Sequence, residues 1–232
     1  MDNNNGRSYD KLISYVKTKI LNKEFVVGDK LPSERDLAAK LEISRNSVRE
    51  GIRILDRMGV IYSQHGAGNY ISSQFDRTMT EVMSMMYVLK GMNMEEITDF
   101  RFGLEYGAVN LAVENATDNQ KKLMLDLLKD MEQADTEQER AKKDKRLHYL
   151  IVESSENTYI ISTFNALNHI MENYVPEMRE KIFIGMKTEE ELASSHRKIV
   201  NGIVNGNLEE ALEGLFNHFK YIRQFIEVEL EL

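Results

Sequence analysis

Apolar residues recur every three to four positions along most of this chain. Between Tyr9 and Leu21, Leu12, Ile13, Val16 and Ile20 share one stripe, which predicts an amphipathic helix. A turn is expected at Gly28-Asp29. Ser33, with Asp36 three residues on, then reads as the N-cap of a second helix carrying Leu37, Ala38 and Leu41 inward. Ser44 caps a third helix through about Met58, with Val48, Ile52, Leu55 and Met58 as its stripe and Gly59 as its stop. The period then changes. "VIYSQ" and "NYIS" are short β-prone runs separated by "HGAG", the pattern of a hairpin. Three helices followed by a hairpin predict a winged helix-turn-helix over residues 1–74.

From about Asp76 the helical period returns and persists. Helices are expected near 76–90, 94–115, 118–134, 137–155, 158–174, 188–205 and 207–230, with no strand pattern and no repeat. The fold class that follows is mainly α, with an N-terminal winged helix-turn-helix (1–74) and a C-terminal all-α antiparallel helical bundle (75–232). The methionines of "MTEVMSMMYVLKGMNM" read as adaptable core filler.

Composition narrows the class. The 232 residues include no Cys and no Trp, which removes disulfides and thiolate metal sites and fits a reducing, cytoplasmic setting. The polar start "MDNNNGRSYDK" offers no signal peptide, and no run approaches the ~18 apolar residues of a membrane span. Net charge is −8, but unevenly distributed: +3 over residues 1–74 and −11 over 75–232. A basic module joined to an acidic one suits DNA at one end only.

The stripe of the third helix decides what faces outward. Arg45, Asn46, Arg49 and Arg53 fall away from Val48, Ile52 and Leu55, with Arg45 and Arg49 one turn apart. At the start of a recognition helix, arginines can bond guanine O6 and N7 in pairs. Arg35, opening the second helix, suits a phosphate or a base at the groove edge. His65-Gly66, at the wing tip, suits the minor groove. The competing reading is a solvated face paired with Glu34, Glu50 and Asp56.

"GDKLPSERDLAAKLEISRNSVREGIRILDRMGVIYSQHGAGNYI" closely resembles the signature of GntR-type bacterial transcriptional regulators, with its LPSER-x-LA box, VSR-xx-VRE core and G-x-G wing. The resemblance implies that Arg35, Arg45 and Arg49 read DNA, supported by Ser33, Ser44, Asn46, His65 and Gly66. Gly51 stands where the family usually has Ala and is expected to loosen the helix slightly. Asn46, often Thr or Pro in relatives, bears on operator preference.

Five histidines are scattered through the chain. Asp144 and His148 are i, i+4 on one predicted helix, and His196 and His218 lie at matching levels either side of the "NGN" turn. Three imidazoles and one carboxylate would suit Zn, Ni, Mn or Fe. On spacing alone, unrelated histidines remain the simpler reading. The helical tail, however, resembles the FCD ligand-binding domain of the FadR subfamily, whose metal-binding members carry the pattern Asp144, His148, His196 and His218 follow. Leu147 departs from it, replacing the usual Phe, and His169 matches no position of it. Arg101 and Glu105 match the domain's R-xx-x-E element, implying that Arg101 receives an anionic effector; an ordinary helical ion pair is the alternative. Asn157 matches a recurring position and reads as a cap.

These features predict a ligand-responsive regulator that binds a palindromic operator as a homodimer. A divalent metal, Zn foremost, would assist a small organic or sugar acid. One alternative keeps the regulator but makes the metal structural or absent, with a bulkier effector such as acyl-CoA. Another is a metal-dependent enzyme, against which stands the lack of H-E-x-x-H, nucleophile elbow and phosphate loop.

Overall fold

The computed structural model describes residues 8–91, 93–174 and 189–230. The chain divides into two compact units, Met1–Glu81 and Val82–Leu232.

The first unit contains α1 (Asp10–Leu21), α2 (Glu34–Leu41), α3 (Arg45–Arg57), β1 (Ile61–Gln64) and β2 (Gly68–Ile71). Its core is Leu12, Val16, Leu31, Leu37, Val48, Ile52, Leu55, Ile61 and Ile71, drawn from every element. The expected caps form: Ser33 accepts from Asp36 N, and Ser44 from Ser47 N, satisfying amides that each helix start would leave open. Met58 differs from expectation. The helix ends at Arg57, and Met58, its C-cap, is exposed rather than part of the buried stripe. The antiparallel strands pair Ile61 with Ile71 and Gln64 with Gly68. A third backbone segment joins them, because Leu31 N donates to Asn69 O and Ile71 N to Asp29 O, both at 2.8 Å. Residues expected only to turn at Gly28-Asp29 therefore also extend the wing.

The second unit is helical throughout among the described residues. α4 (Phe75–Lys90) begins in the first unit and ends in the second. It is followed by α5 (Met94–Asn115), α6 (Asp118–Glu132), α7 (Glu137–Glu153), α8 (Thr158–Tyr174), α9 (Glu189–Asn205) and α10 (Leu208–Leu230). Residue 188, where the ninth helix was expected to begin, lies outside the described residues. Thr117 and Gln120 form a capping box on α6, and Asn157 Oδ1 caps α8 by accepting from Tyr159 N and Ile160 N. α5 runs through the middle, packing against α7, α8, α9 and α10. α9 and α10 form the tightest pair. A Cβ on Gly202 would lie 2.4 Å from Ala211 N, and one on Gly214 2.6 Å from Ile199 N, so the two backbones meet where side chains are absent.

The methionines of α4 do not all fill core. Met83 and Tyr87 pack inward, whereas Val82, Met85, Met86, Val88 and Leu89 are exposed, Leu89 at 77%. The helix has a second apolar face that its own unit does not cover.

Candidate DNA-reading face and metal centre

α3 buries Val48, Gly51, Ile52 and Leu55, which turns Arg45, Asn46, Arg49 and Arg53 to the exposed side. Ser44 begins the helix one residue before Arg45. Arg35 is exposed on α2, its Nε 3.7 Å from Asp36 Oδ1. Arg49 Nε donates to Glu34 Oε2 at 2.8 Å, so of the expected acidic partners only Glu34 pairs with it. Among the described residues, no ion pair engages Arg45 or Arg53. At the wing tip, His65 and Gly66 are exposed and Gly66 takes φ +74°, a conformation that favours glycine. The flanking strands are stiffened by Tyr62 stacked on Tyr70, ring centroids 5.3 Å apart, and by Ser63 Oγ donating to Asn69 Oδ1.

In the helical unit, three helices aim polar side chains at one buried place. α7 supplies Asp144 and His148, α9 His196 and α10 His218, all nearly solvent-free. Nitrogens of the three imidazoles lie within 4.8 Å of one another, and the ring centroids are 4.7 to 5.4 Å apart. Asp144 Oδ1 is 2.9 Å from His196 Nε2 and 3.6 Å from His148 Nε2. His148 Nε2, His196 Nε2 and His218 Nδ1 have no hydrogen-bond partner among the described residues. The short Asp144–His196 approach thus brings charge close without the alignment of a hydrogen bond. A buried polar atom left unpaired costs about 1–3 kcal/mol, so three together require an explanation. A shared divalent cation supplies one: the atoms turned to a common point are imidazole nitrogens and a carboxylate oxygen, the donor types such ions take.

The electrostatics agree. Burial opposes charge on Asp144, but His148 and His196 outweigh it and hold its carboxyl well below the usual range. Burial, together with the neighbouring His196 and His148, pushes His218 down and keeps it neutral, as a ligand must be. His148 is the exception: Glu105 and Asp144 overcome its burial and raise it to about 9 in the metal-free chain.

Glu105, expected from the sequence only as the partner of Arg101, also belongs to the histidine cluster. Fully buried on α5, it accepts from Arg101 Nε at 2.6 Å through Oε1, and its Oε2 lies 2.5 Å from His148 Nδ1. The helical ion pair exists, but its carboxylate also reaches a histidine of the cluster. A glutamate as the one charged residue of "FGLEYGAVNLAV" was the available signal. The Arg101 side chain is 11% exposed and its guanidinium sits 5.7 Å from the centre of the Phe219 ring. His169 is exposed on α8.

Comparison with known proteins accounts for both units. The family described as bacterial regulatory proteins, gntR family, matches residues 8–71, and the FCD domain matches residues 96–221, more than half of the chain. LutR, an HTH-type transcriptional regulator of Bacillus subtilis strain 168, is 26% identical over 89% of this chain and 95% of its own. An Escherichia coli K12 protein named as an L-lactate dehydrogenase operon regulator is 25% identical over 93% of this chain and 85% of its own. The solved Streptococcus agalactiae GntR shares the fold, with a TM-score of 0.62 and 23% identity over 94% of this chain and 98% of that one. These relatives are transcriptional regulators rather than enzymes, and the chain belongs to the GntR family of bacterial regulatory proteins, with an FCD domain as its helical unit.

Proposed function

We propose that this regulator binds a palindromic operator as a homodimer and senses a small carboxylate at a metal-assisted site in its helical domain. The reading assigns residues 1–74 to DNA and 75–232 to effector and dimer contacts, places the protein in the cytoplasm and groups it with the FadR subfamily. Arg45 and Arg49 would read base edges, Arg35 a phosphate or groove-edge base, and His65-Gly66 the minor groove. Ser33, Ser44 and Asn46 would fix the helix starts and their approach.

The observation that carries the sensor half is the set of three buried imidazole nitrogens without partners, gathered around Asp144. Asp144, His148, His196 and His218 would hold the ion, with Zn foremost and Ni, Mn or Fe also suited to this set. When bound, the ion supplies Lewis-acid attraction for an effector oxygen. Arg101, held in place by Glu105 and Phe219, presents the cation that would receive the carboxylate. One relative's name ties it to an L-lactate dehydrogenase operon, and lactate is a small 2-hydroxy carboxylate. The second copy is supported by the exposed face of α4, because clustered exposed apolar side chains mark interaction sites.

The test is a thermal-shift screen of the zinc-loaded protein against small hydroxy, keto and sugar acids, repeated after chelation. A stabilising acid whose effect disappears with chelator supports the reading through mass action. No shift from any acid, with stability lost on chelation, would make the metal structural and turn the search to bulkier ligands.

A further inference from the structure

We infer that Glu105 is a positioning residue that fixes which nitrogen of His148 faces the metal site and links that site to the effector arginine. The inference rests on the metal and carboxylate reading above.

Glu105 divides its carboxylate between two partners, Oε1 accepting from Arg101 Nε and Oε2 from His148 Nδ1. A carboxylate accepting from Nδ1–H leaves the Nε2 lone pair as the ligand, and Nε2 is the His148 nitrogen found unpaired and facing Asp144. Such a partner also makes the imidazole a stronger donor, and losing one typically costs ~10–100-fold in metal affinity. The cluster's other two histidines have no comparable carboxylate: among the described residues, Asp144 is the only carboxylate that acts on His196 or His218. Glu105 is therefore the one outer carboxylate visible at this site.

The link to Arg101 follows from the shared group. Arg101 spends only its Nε on Glu105, leaving its terminal nitrogens without hydrogen-bond partners among the described residues. An anion on those nitrogens draws on the same guanidinium that polarises Glu105. Glu105 then becomes the better acceptor for His148 and His148 the better metal ligand. Metal and carboxylate should accordingly favour each other's binding, reciprocally, through a fixed buried chain.

Zinc affinity is measured by chelator competition, with and without L-lactate or whichever acid the thermal screen selects, for wild type and Glu105→Gln. Wild type should bind zinc more tightly with the acid present. Glu105→Gln should lose ~10–100-fold in zinc affinity, and its coupling to the acid should shrink towards none. A wild type that binds no zinc, or shows no coupling to any acid, overturns the sensor reading itself. Intact wild-type behaviour with unchanged affinity and coupling in the variant overturns only the role of Glu105. Because the variant removes a buried charge from the fold, the wild-type zinc protein is also examined by long-range ¹H–¹⁵N NMR of imidazoles. His148 should carry its proton on Nδ1 and metal on Nε2; the reverse pattern refutes the proposal without any variant.

Discussion

Arg49 Nε donates to Glu34 Oε2 at 2.8 Å, tying α3 to the helix before it. The bond uses the inner nitrogen of the guanidinium and leaves the outer pair, the two that meet guanine O6 and N7, turned to solvent. Arg45→Ala and Arg49→Ala should each lose ~10–100-fold in discrimination between an operator obtained by in vitro selection and random DNA, the worth of one paired base contact. Circular dichroism should be unchanged, and melting should fall only slightly for Arg49→Ala, which gives up the exposed Glu34 pair. Arg49→Lys should keep general DNA affinity but not discrimination, since an ammonium lacks the fork. Wild-type operator binding in both alanine variants would take α3 out of the groove.

Gly51 looks like a weakness in a helix, yet a Cβ there would lie 2.9 Å from Leu12 Cδ2 and 3.3 Å from Leu12 Cβ. The glycine lets α1 press against α3. Gly51→Ala gains ~1 kcal/mol of helix propensity but overpacks a tight contact at a cost of ~1–3 kcal/mol. The expected net result is a lower melting temperature in chemical and thermal unfolding. A variant more stable than wild type would show that Leu12 can move aside.

Such contacts mark the boundary of what this sequence discloses. Helices and wing were legible because local signals agreed: the 3.6-residue stripe through Val48, Ile52 and Leu55, the caps Ser33 and Ser44, and the stop at Gly59. The relative levels of His196 and His218 were legible because a short turn fixes two antiparallel helices. What depends on distant partners was not. The pairing of Asp29 and Leu31 with β2, the closeness of Gly202 and Gly214 to the facing backbone, and the reach of Glu105 across 43 residues to His148 leave no periodic trace. Met85 and Met86 read as filler because pattern alone does not distinguish a covered apolar face from an open one.

Gly214 sits one turn before His218 on α10, and its missing Cβ would stand 2.8 Å from Ser195 O, the residue before His196. The spacing of two imidazoles is thus set by a glycine that touches neither. Gly214→Ala should push α10 from α9 and weaken zinc binding by ~10-fold or more, comparable to losing an outer partner of a ligand. Helix content should survive. Unchanged zinc affinity would mean that the cluster adjusts independently of the helix spacing.

The exposed face of α4 presents Val82, Met85, Met86 and Leu89 at i, i+3, i+4 and i+7, with no charged residue between positions 82 and 89. In the proposed homodimer, a second copy pairing the same surface across a two-fold axis would cover this stripe with its own kind. Met85→Glu and Leu89→Glu should convert a wild-type dimer to monomers in analytical ultracentrifugation and weaken operator binding, with the zinc site retained. If both variants remain dimeric, the two-fold contact lies elsewhere; if wild type is itself monomeric, the homodimer reading fails.

The proton on His148 gives the metal site a signed pH dependence. In the metal-free chain Glu105 and Asp144 raise this imidazole to about 9, from an ordinary value of 6.5. A folded value above the unfolded one contributes stability that is complete below about pH 6.5 and is lost as pH climbs through about 9. The carboxylates act at the other end: Asp144 and Glu105 are held below their ordinary values, so their contribution is lost as pH falls through the acid range. Metal-free protein should therefore melt at progressively lower temperature between about pH 6.5 and 9. Zinc replaces the proton on His148, so loading at about pH 8 should release close to one proton from this residue, and at about pH 10 almost none. Calorimetric titration of zinc in buffers of different ionisation enthalpy reads that number directly. Proton release that is absent at the lower pH, or equal at both, would show that His148 is already neutral before the metal arrives.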